Sequence, residues 1–181
     1  MKGVIVVEYV NRCIKFDLPN GITVDFLEEP MSKMLIYRQE KSDALESCGF
    51  LLGYKNKKTN NITISDITVP HNKDIRKRCF CKLLDNAHFK ALKRSEEKDN
   101  YYMGVWHTHP QKTPIPSSVD LNDWNEILSK DKTGAEYAFF VIIGTEEFRV
   151  WIGDYNAKEI IEIYETNISD GIYVKRCKNE N

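Results

Sequence analysis

Two histidines and one aspartate are spaced in a way that suits a single zinc ion. His107 and His109 are separated by one residue. In an extended strand alternate side chains share a face, so both imidazoles would project together. Asp120 follows a proline-containing loop and can return as a third ligand. Three protein ligands leave a fourth tetrahedral position for water, which is typical of a catalytic zinc site.

Each part of this pattern also has a simpler explanation. A His-x-His pair arises by chance on many strands, where the imidazoles pack instead of binding a metal. Ser117 and Asp120 match a helix capping box, with Pro116 just before it. The capping and metal interpretations are compatible, because a capped helix start holds a carboxylate rigidly and a ligand must be held rigidly.

A zinc hydrolase also needs a carboxylate that does not bind the metal. This group accepts a proton from the attacking water and passes it to the leaving amine. Glu46 is the candidate, since it enters an apolar stretch at residues 47–53 whose glycines allow close backbone approach. A single Glu at a strand entrance is more often a solvated end residue, so its position alone leaves both interpretations open.

The apolar pattern predicts strands and helices that would position these side chains. Residues 101–106 form a strand leading into His107, and we expect that strand to be central. A helix from 118 to about 129 carries Asp120 at its start. The other predicted strands are 4–7, 13–18, 22–26, 46–53, 62–69, 137–143, 148–152 and 160–164, with 79–84 a short strand or helix entrance. The other predicted helices are 85–97 and one from 28 to between 42 and 45.

Length and composition predict one globular domain. The chain has 181 residues, of which 41% are apolar and 29% charged, enough for its own hydrophobic core. It contains no internal repeat or low-complexity linker. We therefore expect a single domain over residues 1–181 with its core at about 30–155, N-terminal strands at 3–26, and a C-terminal strand and frayed tail at 156–181.

The charge balance argues against nucleic acid and membrane partners. The formal net charge is -1, and the short basic run at residues 73–78, which includes Asp74, is expected to be a solvated loop or strand edge. No run approaches the roughly 20 apolar residues of a membrane helix, and no signal peptide is recognisable. We expect a cytoplasmic protein.

The five cysteines are an odd number without a paired framework. This favours free thiols in a reducing compartment. The Cys79-x-Cys81 spacing is one residue shorter than the usual zinc knuckle, so we do not expect a second zinc there. The cysteines are Cys13, Cys48, Cys79, Cys81 and Cys177.

In combination, Glu46, the His-x-His-Pro at residues 107–110, Ser117 and Asp120 resemble the JAMM signature of the JAB/MPN zinc metalloproteases. All polar elements of that signature are present, in order and at its spacing. The resemblance implies an α/β fold of the α+β type, a single JAB/MPN domain with a curved mixed sheet flanked by helices.

The resemblance also implies roles for the individual residues. His107, His109 and Asp120 would hold one Zn²⁺ ion, and Glu46 would be the general acid/base. Ser117 would help stabilise the oxyanion of the tetrahedral intermediate.

Members of this family cleave after the C-terminal residue of ubiquitin-like proteins. The compact chain looks most similar to bacterial stand-alone JAB isopeptidases, some of them in anti-phage operons of the CBASS-like or ubiquitin-like conjugation type. The implied substrate is a ubiquitin-like or conjugated protein with an extended C-terminal tail, and E1/E2-like enzymes from the same operon are implied partners. Two alternatives stay open: a zinc peptidase that releases cysteine or another small amine from a sulfur-carrier protein, and a non-catalytic scaffold of the same fold.

Overall fold

The computed structural model describes residues 13–168, which form eleven strands and three helices. The strands are β1 (Cys13–Asp17), β2 (Thr23–Leu27), β3 (Cys48–Lys55), β4 (Ile62–Ile67), β5 (Ile75–Lys77), β6 (Phe80–Lys82), β7 (Tyr101–Thr108), β8 (Tyr137–Ile143), β9 (Phe148–Asp154), β10 (Glu159–Ile163) and β11 (Glu165–Ile168). The helices are α1 (Glu28–Leu35), α2 (Ala87–Glu96) and α3 (Ser118–Lys130). The strand predicted at 4–7 and the end of the tail lie outside the described residues. Within the described part of the chain, no helix is long and apolar enough to span a membrane.

Nine of the described strands form one mixed sheet in the order β10-β9-β8-β7-β3-β4-β2-β1-β11. The pairs β7–β8 and β2–β4 are parallel, and the other pairs are antiparallel. The strand that leads into the histidines is therefore flanked by β3 and β8, and the prediction that it is central is confirmed. The predicted fold, a curved mixed sheet flanked by helices, is also confirmed.

Two pairs of consecutive strands form antiparallel hairpins in the main sheet. β1 and β2 pair in antiparallel fashion across a turn in which Gly21 has a φ of +82°, a backbone conformation that glycine adopts without steric cost. β3 and β4 form the second antiparallel pair. This second hairpin fixes the strand that follows Glu46 at the middle of the sheet.

The hydrophobic core has two parts, one on each face of the sheet, and β8 contributes side chains to both. Every residue of β8 is buried, as a continuous apolar run predicts for a strand covered on both sides. Its alternating side chains enter two separate clusters. One cluster, with α1, contains Phe139, Val141 and Ile143, and the other, with α3, contains Ala138, Phe140 and Ile142.

Helix α1 ends earlier than the sequence predicts. It stops at Leu35 instead of continuing to residues 42–45, and Ile36 beyond it is 79% exposed. The tertiary structure overrides the helical pattern here. Tyr37 packs against Trp106 with 5.8 Å between ring centroids, and Gln39 is buried. The segment after α1 is thus directed towards the strand ends near Glu46.

A small two-stranded ribbon lies apart from the main sheet. β5 and β6 pair in antiparallel fashion, with Arg76 opposite Cys81 and Lys77 opposite Phe80. β6 was expected as a short strand or helix entrance, and it is a strand. Residues 75–77 of the basic run form β5, so this part of the run is a strand edge. Hydrogen bonds from Arg76 and to Lys77 place it beside Glu46.

Candidate active site

The two histidines lie at the carboxyl end of β7 and face helix α3. His107 is buried, and the indole of Trp124 on α3 packs 6.4 Å from its ring, measured between centroids. His109 lies just beyond the strand, where its backbone N–H donates to Ile143 O at 2.9 Å and prolongs the alignment with β8. The strand and its extension hold both imidazoles on one side, as the alternating pattern predicts.

Asp120 completes a group of three converging side chains. The Nε2 atoms of His107 and His109 are 3.0 Å apart, and the two Asp120 carboxylate oxygens lie 3.2 Å from His107 Nε2 and 3.4 Å from His109 Nε2. Tetrahedral zinc with bonds of roughly 2.0–2.1 Å needs neighbouring ligand atoms about 3.3 Å apart. The spacing therefore fits one zinc ion held between the three side chains.

A capping box holds Asp120 at the start of α3. Ser117 N–H donates to Asp120 Oδ2 at 2.6 Å, and Asp120 N–H donates to Ser117 Oγ at 3.2 Å. The predicted capping box is confirmed, and it coexists with the approach of Asp120 to both histidines. Because Ser117 Oγ accepts the cap hydrogen bond, its hydroxyl retains a proton that it can donate to a substrate oxygen.

Glu46 provides a second carboxylate close to the histidines. Its side chain is buried, and one carboxylate oxygen and one ring nitrogen of each histidine lie within 4.8 Å of one another. The Asp120 carboxylate oxygens lie 3.2 Å from His107 Nε2 and 3.4 Å from His109 Nε2. Both carboxylates therefore lie within reach of the two imidazoles.

Burial and neighbouring charges give the four groups different proton affinities. Burial raises the pKa of Glu46 to about 7; the charge of Asp120 adds to this rise and His109 opposes it. Burial lowers the pKa of His107 and favours the neutral imidazole that binds metals. Burial opposes ionisation of Asp120, but its hydrogen bonds with both histidines hold its pKa well below the usual range. Contacts with Asp120 outweigh burial and raise the pKa of His109.

A buried network that the sequence does not reveal aligns the two strand ends. Thr108 Oγ1 accepts from Ser47 N–H at 3.0 Å and donates to Gln39 Oε1 at 3.0 Å. Gln39 Nε2 in turn donates to the carbonyls of Ala44 and Arg78, at 3.1 and 2.7 Å. The residue between the two histidines thus fixes the segment that carries Glu46. Gln39 lies 69 residues from Thr108, so no local pattern could have identified it.

Gly49 permits the close contact between β3 and its neighbours. Trp106 Nε1 donates to Thr68 O at 2.9 Å directly above this residue. A Cβ at Gly49 would lie 2.0 Å from Thr68 O and 2.6 Å from Trp106 Nε1. Only glycine fits, and the indole hydrogen bond fixes the residue immediately before His107.

Two cavities, of about 350 and 200 Å³, flank the histidines. Both are bordered by Glu46 and Asp120, by Cys81 on β6 and by Asp123 on α3. A larger cavity of about 680 Å³ lies at the far ends of β3 and β7, around Tyr54 and Tyr101. The two smaller cavities are the relevant ones, because they adjoin the converging ligand atoms. Asp123 is a site residue that the sequence analysis missed, although its position one helical turn after Asp120 is a signal.

The expectation of free thiols throughout is wrong for Cys48 and Cys81. These residues form a disulfide across 33 positions of sequence, with 6.1 Å between their Cα atoms, whereas Cys79 is free and exposed. No local pattern in the sequence indicates this pairing, because the two cysteines are far apart along the chain. They meet because the β5–β6 ribbon lies over the start of β3. The disulfide attaches the ribbon to the strand that follows Glu46.

Cys81→Ser is expected to lower the free energy of unfolding by about 3 kcal/mol, because opening a closed loop of this length raises the entropy of the unfolded chain. The measurement is urea denaturation without reductant, with Cys79→Ser as the matched control. The difference between the two variants should disappear when both are fully reduced. A Cys81→Ser chain as stable as the control without reductant would contradict the prediction.

Comparison with known families gives a match over most of the described chain. A family described as prokaryotic homologs of the JAB domain matches residues 28–153. This range includes both candidate carboxylates, both histidines and Ser117.

Two curated relatives and one solved structure are also similar to the chain. A protein of Vibrio cholerae named CD-NTase/cGAS isopeptidase is 29% identical over 138 residues, covering 75% of this chain and 83% of the relative. A protein of the same name from Escherichia coli is 25% identical over 156 residues, covering 84% and 94%. The solution structure of a Desulfitobacterium hafniense protein aligns with a TM-score of 0.52 at 18% identity, covering 80% of this chain and 90% of that one, and shows a similar fold.

Proposed function

The chain belongs to the family of prokaryotic homologs of the JAB domain, and we propose that it is a zinc-dependent isopeptidase. The observation that supports this most strongly is the convergence of His107, His109 and Asp120, whose donor atoms lie 3.0 to 3.4 Å apart. The buried carboxyl of Glu46 beside them supplies the one further group that amide hydrolysis needs.

In this proposal His107, His109 and Asp120 hold one zinc ion, since two imidazoles and one carboxylate are a donor set that zinc accepts with an open fourth position. When bound, zinc supplies a Lewis acid that polarises the scissile carbonyl and makes water more acidic. The capping box and the packing of Trp124 hold the ligands in place before any metal binds.

Glu46 moves the proton in the proposed reaction. Water adds its oxygen to the carbonyl carbon and gives one proton to the Glu46 carboxylate. Glu46 then passes this proton to the nitrogen of the leaving amine as the carbon–nitrogen bond breaks. A carboxyl whose pKa burial raises to about 7 can both accept and return a proton near neutral pH.

The Ser117 hydroxyl donates a hydrogen bond to the carbonyl oxygen as negative charge develops there. Ser117→Ala is expected to lower kcat by roughly 10²-fold, the usual loss for one such donor. It should also lower the free energy of unfolding by about 1 kcal/mol, because the cap hydrogen bond at α3 is lost.

The two effects of Ser117→Ala are separable. Ser117→Asn preserves a capping side chain while replacing the hydroxyl donor, so it should restore most of the stability and less of the activity. Steady-state kinetics and urea denaturation of both variants test this. Full activity in Ser117→Ala would contradict the oxyanion role.

The shape of the site favours an extended segment of substrate. Both cavities lie between β6 and α3, with the histidines at their junction. A thin polypeptide tail can lie in such a passage and form backbone hydrogen bonds, whereas a folded domain cannot enter it. We therefore propose that the substrate is a protein joined through its extended C-terminal tail to an amine.

The names of the relatives suggest which protein this is. They are called CD-NTase/cGAS isopeptidases. On that basis we propose a nucleotidyltransferase conjugated through its C-terminus, or a ubiquitin-like protein attached in the same manner, as substrate. E1/E2-like enzymes from the same operon would make the bond that this protein cleaves.

The test combines metal analysis with cleavage of a defined conjugate. The purified protein should contain about one zinc ion per chain. It should cleave a CD-NTase linked through its C-terminal carboxyl to a lysine amine of a second protein, leaving the carboxyl and amine intact by mass spectrometry. Zinc without cleavage of any conjugate would favour a scaffold, and release of free cysteine from a sulfur-carrier tail would favour the sulfur-carrier peptidase.

A further inference from the structure

The β5–β6 ribbon forms hydrogen bonds with both backbone polar groups of Glu46. Glu46 N–H donates to Lys77 O at 2.8 Å, and Arg76 Nε donates to Glu46 O at 2.8 Å. Both backbone polar groups of the proposed general base are therefore bonded to β5. The next residue, Ser47, is bonded instead to Thr108 of the main sheet, through both of its backbone groups.

Arg76 makes further contacts with the residues on either side of Glu46. Its Nη2 donates to Leu45 O at 3.3 Å and to Ser47 Oγ at 2.5 Å. One planar guanidinium thus contacts three consecutive residues, with Glu46 in the middle. Its fixed fork of donors suits this arrangement, which the single ammonium of a lysine reproduces only in part.

The ribbon geometry directs Arg76 towards this segment. Arg76 pairs with Cys81 across the ribbon, and directly opposite residues of an antiparallel pair project from the same face. Cys81 on that face is bonded to Cys48, two residues after Glu46. The face of the ribbon that carries Arg76 and Cys81 is therefore fastened to residues 45–48.

From these contacts we infer that Arg76 is a positioning residue that fixes Glu46 in the orientation needed for proton transfer. This inference rests on the proposed function. Glu46 precedes β3, and its own backbone groups are bonded to the ribbon, whereas the main sheet bonds the next residue, Ser47. A displacement of about 1 Å at a reacting group can cost on the order of 10²-fold in rate. The ribbon is thus part of the catalytic support as well as a wall of the cavities.

The test uses Arg76→Ala, with Arg76→Lys as the conservative variant. Arg76→Ala should lower kcat by about 10- to 100-fold while KM changes less than about 2-fold and bound zinc stays the same. Arg76→Lys should recover part of kcat, because a lysine ammonium can still donate to one or two of the three acceptors. Lys73→Ala is the matched control, since it removes a positive charge from an exposed side chain just before β5.

A readout independent of activity separates this inference from the proposed function. Hydrogen exchange of the Glu46 backbone amide should become at least about 10-fold faster in Arg76→Ala and stay unchanged in Lys73→Ala. Unchanged exchange and kcat in Arg76→Ala would overturn the inference, as would a rise in KM alone. If the wild-type protein cleaves no conjugate, the proposed function fails, while the exchange rates still decide whether Arg76 holds Glu46.

Discussion

Replacing His107 with alanine is expected to remove the bound metal and all measurable catalysis. His107 Nε2 is 3.0 Å from His109 Nε2 and 3.2 Å from an Asp120 oxygen, so its loss leaves an incomplete donor set. Zinc held by two side chains exchanges readily with a chelator, and metal content should fall to below about 0.1 ion per chain after dialysis. Cleavage should fall at least about 10³-fold, since the Lewis acid is lost.

The imidazole of His71 offers the matched control, because it is half-exposed and lies on another segment. His71→Ala should retain its metal and its activity. A second readout is thermal unfolding with and without chelator. A chelator should lower the Tm of the wild-type protein and of His71→Ala, and leave that of His107→Ala unchanged, since a bound ion stabilises only the folded state that binds it. A His107→Ala protein with a full zinc complement would rule out the proposed ligand set.

The positions of the chemical groups could be predicted because each depends on a short-range pattern. The one-residue spacing of His107 and His109 determines that they project to the same side of β7 and its extension, and the structure shows both beside α3. Ser117 and Asp120 form the capping box that their three-residue spacing predicts. Even the placement of β7 at the centre of the sheet could be predicted, because a long apolar run is typical of a covered strand.

The supports of the site could not be predicted, because they join residues that are distant along the chain. Gln39 contacts Thr108 across 69 positions, and Arg76 contacts Ser47 across 29. The disulfide also joins distant residues, since Cys48 and Cys81 are 33 positions apart in the sequence. The early end of α1 belongs with these cases, because the burial of Gln39 outweighs the helical pattern around it.

Glu46→Gln is expected to abolish most of the activity and to leave the metal in place. Glutamine has nearly the shape of glutamate, but its amide cannot accept a proton from water. General acid–base catalysis contributes about 10²- to 10⁴-fold, so kcat should fall by a factor of about 10² to 10⁴ while KM changes little. Zinc content should stay at about one ion per chain, because Asp120 and not Glu46 is the third ligand in the proposed set.

Metal content in Glu46→Gln also decides between two geometries that the structure allows. One carboxylate oxygen of Glu46 and one ring nitrogen of each histidine lie within 4.8 Å of one another, so a zinc ion bound by Glu46 instead of Asp120 is the competing geometry. If zinc is lost from Glu46→Gln and retained in Asp120→Asn, the assignments of ligand and base must be exchanged. Glu40→Gln is the matched control, because it makes the same change at an exposed position between α1 and β3 and should preserve both metal and rate. Retained zinc with a 10²-fold or greater loss of kcat, seen in Glu46→Gln alone, is the result that general acid–base catalysis by Glu46 requires.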